Sequence, residues 1–293
     1  MRSYLRKLRR KWRHLRSKLG MKVFKYRPFM NLQASHLGLA GASDVFAMYI
    51  AECSDHKTGD EDPELLDFMK FYTAEYHDSY SQWSQDMFVL FKSKKKQSGS
   101  YLEIGGADGV TGSNTLMLHN HFHWKGVLVE PDRDQFRYLQ LNRSSGDKLL
   151  NVAVAPNRDQ RQVKFATAGQ ISSIVGYHDK DLHADARVES LNRDRPVVIS
   201  AMDINDILSS FNELDYFSLD VEGCEYAILS QIAWDNDNMV KPRLITVEHN
   251  YVQKTKENIA SLLEKQGYRQ VFSRYEWLTR GDSWFELLPA KAT

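Results

Sequence analysis

Short runs of apolar residues alternate along most of the chain with longer stretches in which apolar residues recur every three or four positions. The short runs, rich in β-branched and aromatic residues, lie at 101–105, 126–130, 149–155, 216–221 and 244–249. The stretches with helical spacing lie between them, at 113–121, 133–142, 204–210, 225–232 and 254–266. Strands that alternate with helices in this way predict a parallel sheet with helices on both faces.

The end of the chain follows a different pattern. Two further strand-like runs, 270–275 and 284–288, enclose the turn 279–283 (TRGDS), and no helical stretch separates them. Strands joined by a short turn pair antiparallel. We therefore predict an α/β fold, a doubly wound, Rossmann-like sheet of about seven strands, with an antiparallel pair at its C-terminal end.

The residues before this pattern are predicted to form two further regions. Between 44 and 80, apolar and aromatic residues recur at helical spacing, and the basic, Ser- and Gly-containing stretch 92–100 (KSKKKQSGS) separates this part from the first strand. Residues 28–98 are therefore predicted to be a helical N-terminal region and residues 99–293 the sheet domain. Residues 1–27 form a separate basic arm.

Charge distinguishes the arm from the rest of the chain. The 293 residues include 39 Lys+Arg and 38 Asp+Glu, but residues 1–27 hold 12 of the basic residues and no acidic one, which leaves the remainder at −11. Apolar residues of the arm line one face of a helix: Leu5, Leu8, Trp12, Leu15 and Leu19. A basic amphipathic helix suits an anionic membrane surface, at about 1 kcal/mol per basic residue near the lipid. Packing on its own body or on a partner, and binding to nucleic acid, are the alternatives.

The overall composition excludes several classes of protein. Hydrophobic residues make up 42% of the chain, too many for a disordered protein. No apolar run approaches the ~20 residues of a membrane-spanning helix. The two cysteines, Cys53 and Cys224, are too few for a disulfide scaffold or a Cys-rich zinc module. Since the arm also lacks the apolar core of a secretory signal, we expect a cytoplasmic protein, peripheral on the inner membrane face if the arm binds lipid.

A glycine-rich loop, 103–109 (EIGGADG), joins the first predicted strand to the helix that follows it. The second strand ends at Glu130, where an acidic side chain can bind both hydroxyls of a ribose. The glycines at 105, 106, 109 and 112 miss the G-x-G-x-x-G spacing of dinucleotide-binding proteins, and no Walker lysine follows them. An acidic residue two positions before the first glycine, together with the terminal strand pair, favours S-adenosylmethionine as the ligand over a purely structural glycine turn.

These motifs resemble those of the FkbM-type family of class I S-adenosylmethionine-dependent methyltransferases. The matching stretches, which extend over about 80–290, are 84–86 (SQD), 101–115 (YLEIGGADGVTGSNT), 124–132 (WKGVLVEPD), 151–156 (NVAVAP), 215–229 (DYFSLDVEGCEYAIL) and 245–250 (ITVEHN). The resemblance implies the seven-stranded class I methyltransferase fold and methyl transfer to a hydroxyl, often on a sugar or a polyketide. One departure is Gly106-Ala107, where many methyltransferases have alternating glycines.

The resemblance also implies a set of cofactor contacts. The residues expected to bind S-adenosylmethionine are Glu103, Gly105, Gly106, Asp108, Asn114, Glu130 and Ala153. Of these, the loop residues would contact the methionine part, and Asn114 would support its carboxylate near a helix N-terminus. Glu130 would hold the ribose, and Ala153 would lie near the adenine.

Methyl transfer to an alcohol needs a base that takes the proton, or a metal that makes the alcohol acidic. The fourth and fifth strands end in 220–225 (DVEGCE) and 248–250 (EHN), which open onto one crevice in a doubly wound sheet. His249 is the candidate base because imidazole titrates near neutrality, with a packed histidine as the alternative. Asp220 would orient the base, contact the cofactor or bind a metal. Glu222 is the third catalytic candidate, and capping of the next helix is its alternative role.

A metal is a separate hypothesis for the same strand ends. Asp220, Glu248 and Asn250 offer the oxygen ligands that Mg²⁺ prefers. Because these three ligands are placed by topology alone, we predict no metal.

The sequence therefore predicts an O-methyltransferase that acts on a sugar hydroxyl of a glycan or glycolipid intermediate, so that its partner is a saccharide or a lipid-linked saccharide. The polar segment 168–195, too long for an ordinary connection, would be the acceptor loop, with Ser172, Ser173 and Tyr177 as hydrogen-bonding candidates. One alternative is an RNA methyltransferase guided by the arm, although the net charge of −11 argues against nucleic acid. The other is a binding module with the same fold and no turnover. The sequence leaves the oligomeric state open.

Overall fold

The computed structural model describes residues 62–289, with the exception of 144, 170–171, 178–183 and 194. The basic arm at 1–27 and the first part of the predicted helical region, 28–61, lie outside the described residues. Several positions of the polar segment 168–195 lie outside them as well.

Eleven strands lie in the described part of the chain and form two sheets. In chain order they are β1 (Ser100–Ile104), β2 (Lys125–Val129), β3 (Lys148–Leu150), β4 (Ala153–Val154), β5 (Gln162–Ala166), β6 (Ser173–Ile174), β7 (Val197–Met202), β8 (Tyr216–Leu219), β9 (Leu244–Glu248), β10 (Tyr268–Val271) and β11 (Asp282–Leu287). The central sheet has seven strands in the order β10-β11-β9-β8-β1-β2-β3, and the smaller one has the order β4-β7-β5-β6.

The connections contain nine α-helices within the described residues. They are α1 (Pro63–Glu75), α2 (Gln85–Lys92), α3 (Leu116–Phe122), α4 (Arg133–Asn142), α5 (Ala184–Arg193), α6 (Ile204–Leu208), α7 (Glu225–Gln231), α8 (Gln253–Lys265) and α9 (Glu276–Thr279). The prediction for α4 matches at both ends, whereas α3 begins three residues later than its apolar spacing indicated.

The central sheet is parallel except at one strand. β1 pairs parallel with both β2 and β8, and β9 pairs parallel with β8. β11 lies between β9 and β10 and runs antiparallel to both. The predicted doubly wound sheet of about seven strands with an antiparallel C-terminal pair is therefore confirmed.

Two parts of the prediction differ from the structure. The run 149–155 was expected to be one strand, but it divides at Asn151 and Val152 into β3 in the central sheet and β4 in the smaller sheet. One apolar run can enter two sheets because hydrophobicity does not encode the bend between them. The segment 168–195 is not wholly a loop, since it contains β6 and α5, and α5 has too few apolar residues to show helical periodicity.

Each face of the central sheet buries its own hydrophobic cluster, because successive strand residues point to opposite faces. On β8, Tyr216 belongs to one cluster and Phe217 to the other. Helices α1 and α2 cover the face of Tyr216, where the ring of Phe88 stacks on Trp284 with centroids 5.0 Å apart. Asp62 caps α1 by accepting hydrogen bonds from the Glu64 and Leu65 amides, as expected for a helix whose first residue is proline. Gln85 at the start of α2 also donates to Asp282 of β11 at 2.7 Å, which joins this helix to the edge that carries the site.

None of the helices in the described ranges combines the length and the hydropathy of a membrane-spanning segment.

Candidate active site

The sequence-predicted site residues, except Ala153 in the smaller sheet, gather at one edge of the central sheet. The parallel strands β1, β2, β8 and β9 all end at this edge, and the antiparallel β11 begins there, so that Asp282 pairs with Glu248. Open α/β sheets bind their ligands in the crevice outside these strand ends. We call the side at β1 and β2 the cofactor half of the crevice, and the side at β8, β9 and β11 the acceptor half.

Gly105 sets the close approach between the two halves. Its φ is +92°, and a Cβ built on it would lie 1.8 Å from the backbone oxygen of Asp220. Any side chain here would push β1 and β8 apart, so that only glycine fits. The amides of Gly105 and Gly106 both donate to the carbonyl of Val129, at 3.0 and 3.1 Å, which holds the loop against β2.

Glu130 lies beneath the glycine-rich loop at the end of β2. One carboxylate oxygen accepts from the amide of Ala107 at 2.8 Å and the other from the amide of Asp132 at 2.6 Å. Burial raises the pKa of Glu130 to about 7, against the opposing effect of these hydrogen bonds. The residue predicted to hold the ribose is thus at the expected edge, in a setting where it changes charge near neutrality.

Glu103 and Asp108 accept hydrogen bonds that hold the glycine-rich loop and the residues after it in place. The Glu103 carboxylate is buried, and it accepts from the amide of Asn114 at 2.9 Å and from the hydroxyl of Thr115. Asp108 accepts from the amides of Val110 and Thr111, at 2.9 and 2.7 Å, in a local turn. Contact of Glu103 and Asp108 with the methionine part of the cofactor remains a prediction.

Asn114 spans the two halves of the crevice. Its Nδ2 donates to the Ser218 hydroxyl on β8 at 2.9 Å. Its Oδ1 is buried and has no hydrogen-bond partner within the described residues. An unsatisfied buried acceptor costs about 1–3 kcal/mol, and a ligand that carries an ammonium group would satisfy it. This oxygen suits the ammonium group rather than the carboxylate expected from the sequence, and contact of Asn114 with S-adenosylmethionine remains a prediction.

Ala153 lies in β4, where it pairs with Ala201 of β7 and is buried in the core. Its proximity to the adenine remains a prediction. Gly106 packs over β2, where its missing Cβ would lie 3.5 Å from Leu128.

Three carboxylates meet in the acceptor half. Asp220, Glu222 and Glu248 each offer an oxygen, and these oxygens lie within 4.8 Å of one another. Burial, followed by the charges of Asp220 and Glu222, holds the pKa of Glu248 well above its usual range. Burial and the charge of Asp220 raise the pKa of neighbouring Asp282 to about 8. Burial and the neighbouring negative charges therefore favour the protonated forms of Glu248 and Asp282.

Glu222 is fixed by the segment that precedes β7. Arg187 on α5 donates to its Oε2 at 2.5 Å, and the amide nitrogen of Asn250 donates to the same oxygen at 3.0 Å. The Ser173 hydroxyl donates to the Glu222 carbonyl at 2.8 Å and is fully buried, so that it cannot meet a saccharide as predicted. Glu225, and not Glu222, has the helix-capping role that was the alternative for Glu222. It accepts hydrogen bonds from the amides of Val221 and Gly223 at the start of α7.

His249 is buried and neutral. Burial, followed by the charge of Lys256, lowers the pKa of His249 to about 4. Its Nδ1 accepts from the Tyr251 amide at 3.2 Å, which assigns the proton to Nε2. Nε2 is buried without a hydrogen-bond partner in the part of the chain that the structure describes. The role of His249 as the base remains a prediction, and it requires that the Tyr251 hydrogen bond be exchanged for one with the acceptor.

The cluster Asp220, Glu222 and Glu248 has the oxygen donors of a divalent-cation site. The predicted ligand Asn250 directs its amide nitrogen, a donor, at Glu222. Arg187 already supplies a positive charge to Glu222. We therefore assign no metal to these residues.

Sequence reasoning missed three charged residues near the crevice. Asp282 was assigned to a polar turn, although an antiparallel strand that begins at this edge would have indicated it. Arg187 lies on a polar helix with no motif around it. Arg143 follows α4 and is almost completely buried behind the loop, where it donates to the Gly109 carbonyl and the Thr115 hydroxyl, at 3.3 and 3.0 Å.

Several solved structures resemble the fold of this chain. A methyltransferase from Pyrococcus furiosus is 15% identical, with a TM-score of 0.36, and the match covers 71% of this chain and 84% of that one. An SAH-bound methyltransferase from Podospora anserina is 10% identical, with a TM-score of 0.39, over 84% of this chain and 96% of that one. A methyltransferase from Geobacter sulfurreducens is 9% identical, with a TM-score of 0.38, over 82% and 96%.

No curated protein matches the sequence. The profile of one family, the methyltransferase FkbM domain, matches residues 103–270, which is more than half of the chain. The matched range runs from Glu103 to the strand β10 and includes the glycine-rich loop, Glu130 and the ends of β8 and β9. The chain therefore belongs to the FkbM methyltransferase domain family, and it is an S-adenosylmethionine-dependent methyltransferase.

Proposed function

We propose that this methyltransferase transfers the methyl group to a hydroxyl, on a saccharide of a glycan or glycolipid intermediate. The observation that carries the proposal is the carboxylate cluster of Asp220, Glu222 and Glu248 beside the cofactor loop. An alcohol is a poor nucleophile until its proton is removed, and a positioned carboxylate can remove it. S-adenosylmethionine, when bound, supplies an activated methyl group, so that the protein has to orient the acceptor and receive its proton.

Asp220 is the best-placed proton acceptor. Its backbone touches Gly105 of the cofactor loop, and its side chain belongs to the cluster, so that it lies where the two halves meet. The raised pKa values of Glu248 and Asp282 favour their protonated forms. Fewer ionised carboxylates then surround Asp220. The proton of the acceptor hydroxyl would pass to a carboxylate oxygen of Asp220 and from there through the cluster to solvent.

The charge of the crevice supports a cationic cofactor and argues against nucleic acid. The buried carboxylates attract the sulfonium and ammonium groups of S-adenosylmethionine. They repel a phosphate backbone, since nucleic-acid binding depends on clustered Lys and Arg. A saccharide, whose hydroxyls both donate and accept hydrogen bonds, suits such a polar crevice better.

The test compares acceptors and one variant. Methyl transfer is measured on neutral saccharides, sugar phosphates, lipid-linked saccharides and RNA in parallel. Asp220→Asn keeps the shape of the side chain and should lower turnover on a saccharide by about 100-fold or more, with cofactor affinity within a few-fold of wild type. Asp206→Asn, which removes an exposed carboxylate on α6, is the matched control.

Three outcomes would contradict the proposal. Methylation of RNA alone would favour the nucleic-acid reading, and full turnover by Asp220→Asn would remove the assigned base. Failure to bind S-adenosylmethionine in a calorimetric titration would favour a binding module without turnover.

We further propose that the basic arm brings the enzyme to an anionic membrane, where a lipid-linked acceptor is found. The support is the sequence pattern of residues 1–27, twelve basic residues around an apolar helical face. Deletion of these residues should abolish binding to phosphatidylserine vesicles at low salt and leave turnover on a soluble acceptor unchanged. Vesicle binding that persists after the deletion would contradict this role.

A further inference from the structure

We propose that Trp83, Tyr251 and Arg280 form an acceptor subsite at the rim of the crevice, and that this subsite selects a saccharide that carries an anionic group. The anionic group is a phosphate or a carboxylate. The inference rests on the proposed function, since it names the acceptor class of that same site.

The three residues are neighbours at the outer edge of the acceptor half. Gly281, adjacent to Arg280, accepts hydrogen bonds from the amides of His249 and Asn250 at 2.7 and 3.1 Å. A Cβ built on Gly281 would lie 3.6 Å from Cε2 of Tyr251, so that the ring of Tyr251 lies against this backbone. The guanidinium of Arg280 lies 4.8 Å from the centroid of the Trp83 ring. The rim thus joins two aromatic rings and one cation.

The backbone at this rim is held in conformations that bulky residues avoid. Asn250 and Tyr251 have φ values of +47° and +60°, and Arg280 has a φ of +54°. Non-glycine residues in such conformations are strained, and they concentrate at functional sites. Two consecutive left-handed residues turn the chain sharply after β9, which leaves the Tyr251 side chain 53% exposed.

The chemistry of the three side chains defines the ligand. Aromatic rings offer a flat apolar surface against which the less polar face of a sugar ring packs. A guanidinium stacked on a ring keeps its donors at its edge, in the planar fork that matches a carboxylate or a phosphate. A neutral saccharide would use the rings and make little use of the cation.

The position of Arg280 also determines how the acceptor is oriented in the crevice. Arg280 lies two residues before Asp282, whose buried carboxylate adjoins the carboxylate cluster. The cluster repels an anionic group, and Arg280 attracts it at the rim. An acceptor bound in this way places its anionic group outward and its hydroxyls inward, toward Asp220.

The test is a binding measurement on the full chain in the presence of S-adenosylhomocysteine. The probes are glucose, glucose 1-phosphate and glucuronate, which share the sugar ring and separate the two sources of charge. At least one anionic probe should bind about tenfold tighter than glucose, a difference of about 1.4 kcal/mol, because the guanidinium donates charge-assisted hydrogen bonds to the anionic group. Arg280→Gln should remove this preference, and Tyr251→Ala should weaken all three probes.

The matched control is Arg274→Gln, because Arg274 also lies over an aromatic ring, that of Tyr275 at 5.8 Å, but at an exposed position outside the rim. This control should keep the preference, and neither arginine variant should change the affinity for the cofactor. Equal binding of the three probes, absence of binding by all of them, or a preference that survives in Arg280→Gln would overturn the subsite. Methyl transfer to a neutral saccharide would still support the proposed function in each of these cases.

Discussion

The two halves of the crevice both bury charged side chains, but they satisfy them to different degrees. In the cofactor half, Arg143 donates from Nε to Asp147 at 3.1 Å and from its other nitrogens to the Tyr101 and Thr115 hydroxyls and the Gly109 carbonyl. Burial alone would raise the pKa of Asp147, but hydrogen bonds from His119 and Tyr101 and the charge of Arg143 keep it below its usual range. We call this set of residues the closed network, because the charged side chains of Arg143 and Asp147 both have hydrogen-bond partners within it.

The acceptor half is less completely hydrogen-bonded than the cofactor half. Glu248 Oε2 and His249 Nε2 are buried without hydrogen-bond partners within the described residues. The pKa values of Glu248 and Asp282 are raised by burial and by neighbouring negative charge. Buried groups that lack partners and titrate out of range are typical of sites that do chemistry, whereas satisfied networks are typical of rigid support. The difference supports our proposal that the acceptor half receives the proton of the acceptor hydroxyl.

The largest effect should come from opening the closed network. Arg143→Met keeps much of the side-chain volume but leaves Glu103 and Asp147 buried without their cation, which should cost about 3–5 kcal/mol of unfolding free energy. Denaturant titration measures this loss, and Arg137→Met, at an exposed position on α4, should stay within about 0.5 kcal/mol of wild type. A loss below about 1 kcal/mol for Arg143→Met would mean that the network does not support the loop.

In the acceptor half, removal of a charge should stabilise the protein. The pKa of Asp282 is raised to about 8 from an ordinary value near 4, so its contribution to stability is fully present below about pH 4 and is lost as the pH rises through 8. Asp282→Asn can still accept the hydrogen bond from Gln85 and no longer ionises. Relative to wild type, this variant should gain about 3–4 kcal/mol between pH 5 and pH 8.

Thermal or denaturant unfolding at the two pH values checks the gain, with Asp235→Asn as the exposed control. Equal stability differences at pH 5 and pH 8 would show that the acceptor half is as well satisfied as the cofactor half.

The fold and the cofactor half could be predicted from sequence because both depend on local patterns. Strand ends follow from apolar periodicity, and Gly105 and Glu130 stand at strand ends in recognisable motifs. The acceptor half depends on strand order as well. Asp282 enters the site only because β11 inserts antiparallel beside β9, and its sequence context resembles an ordinary polar turn.

Long-range charge pairing could not be predicted at all. Arg143 and Arg187 come from polar stretches whose burial depends on partners elsewhere in the chain, Glu103 for the first and Glu222 for the second. Composition and spacing contain no signal for such pairs, and long polar side chains are usually exposed. The protonation state of His249 was missed for the same reason, since it follows from burial and from Lys256.

The third prediction concerns Glu130, whose pKa lies near neutrality in the cofactor half. Burial raises the pKa of Glu130 to about 7, and its ionised form is the better acceptor for ribose hydroxyls. Affinity for S-adenosylmethionine should therefore rise between pH 6 and pH 8 and level off above. Glu130→Gln should bind about tenfold more weakly than wild type at pH 8 and show a flat pH profile. Calorimetric titration measures both, with Glu213→Gln as the exposed control. A wild-type affinity independent of pH would place the ribose elsewhere.

The smallest expected effect lies at Asn114, on the boundary between the halves. Asn114→Ala loses the hydrogen bond to Ser218, worth about 0.5–1.5 kcal/mol, but it also removes the buried Oδ1 that lacks a partner. These contributions oppose each other, so the unfolding free energy should change by less than about 1 kcal/mol. The amide of residue 114 still donates to Glu103, and the loop should keep its shape.

If this oxygen accepts from the ammonium group of the cofactor, cofactor affinity should nevertheless fall, by about three- to tenfold. Parallel unfolding and calorimetric titrations separate the two effects. If Asn114→Ala destabilises the protein by more than about 2 kcal/mol and binds the cofactor as wild type does, then Asn114 belongs to the closed network of the cofactor half. If affinity falls and stability is unchanged, the buried oxygen serves to bind the ligand. Buried polar atoms without protein partners then occur on both sides of the boundary, next to the cofactor as well as next to the acceptor.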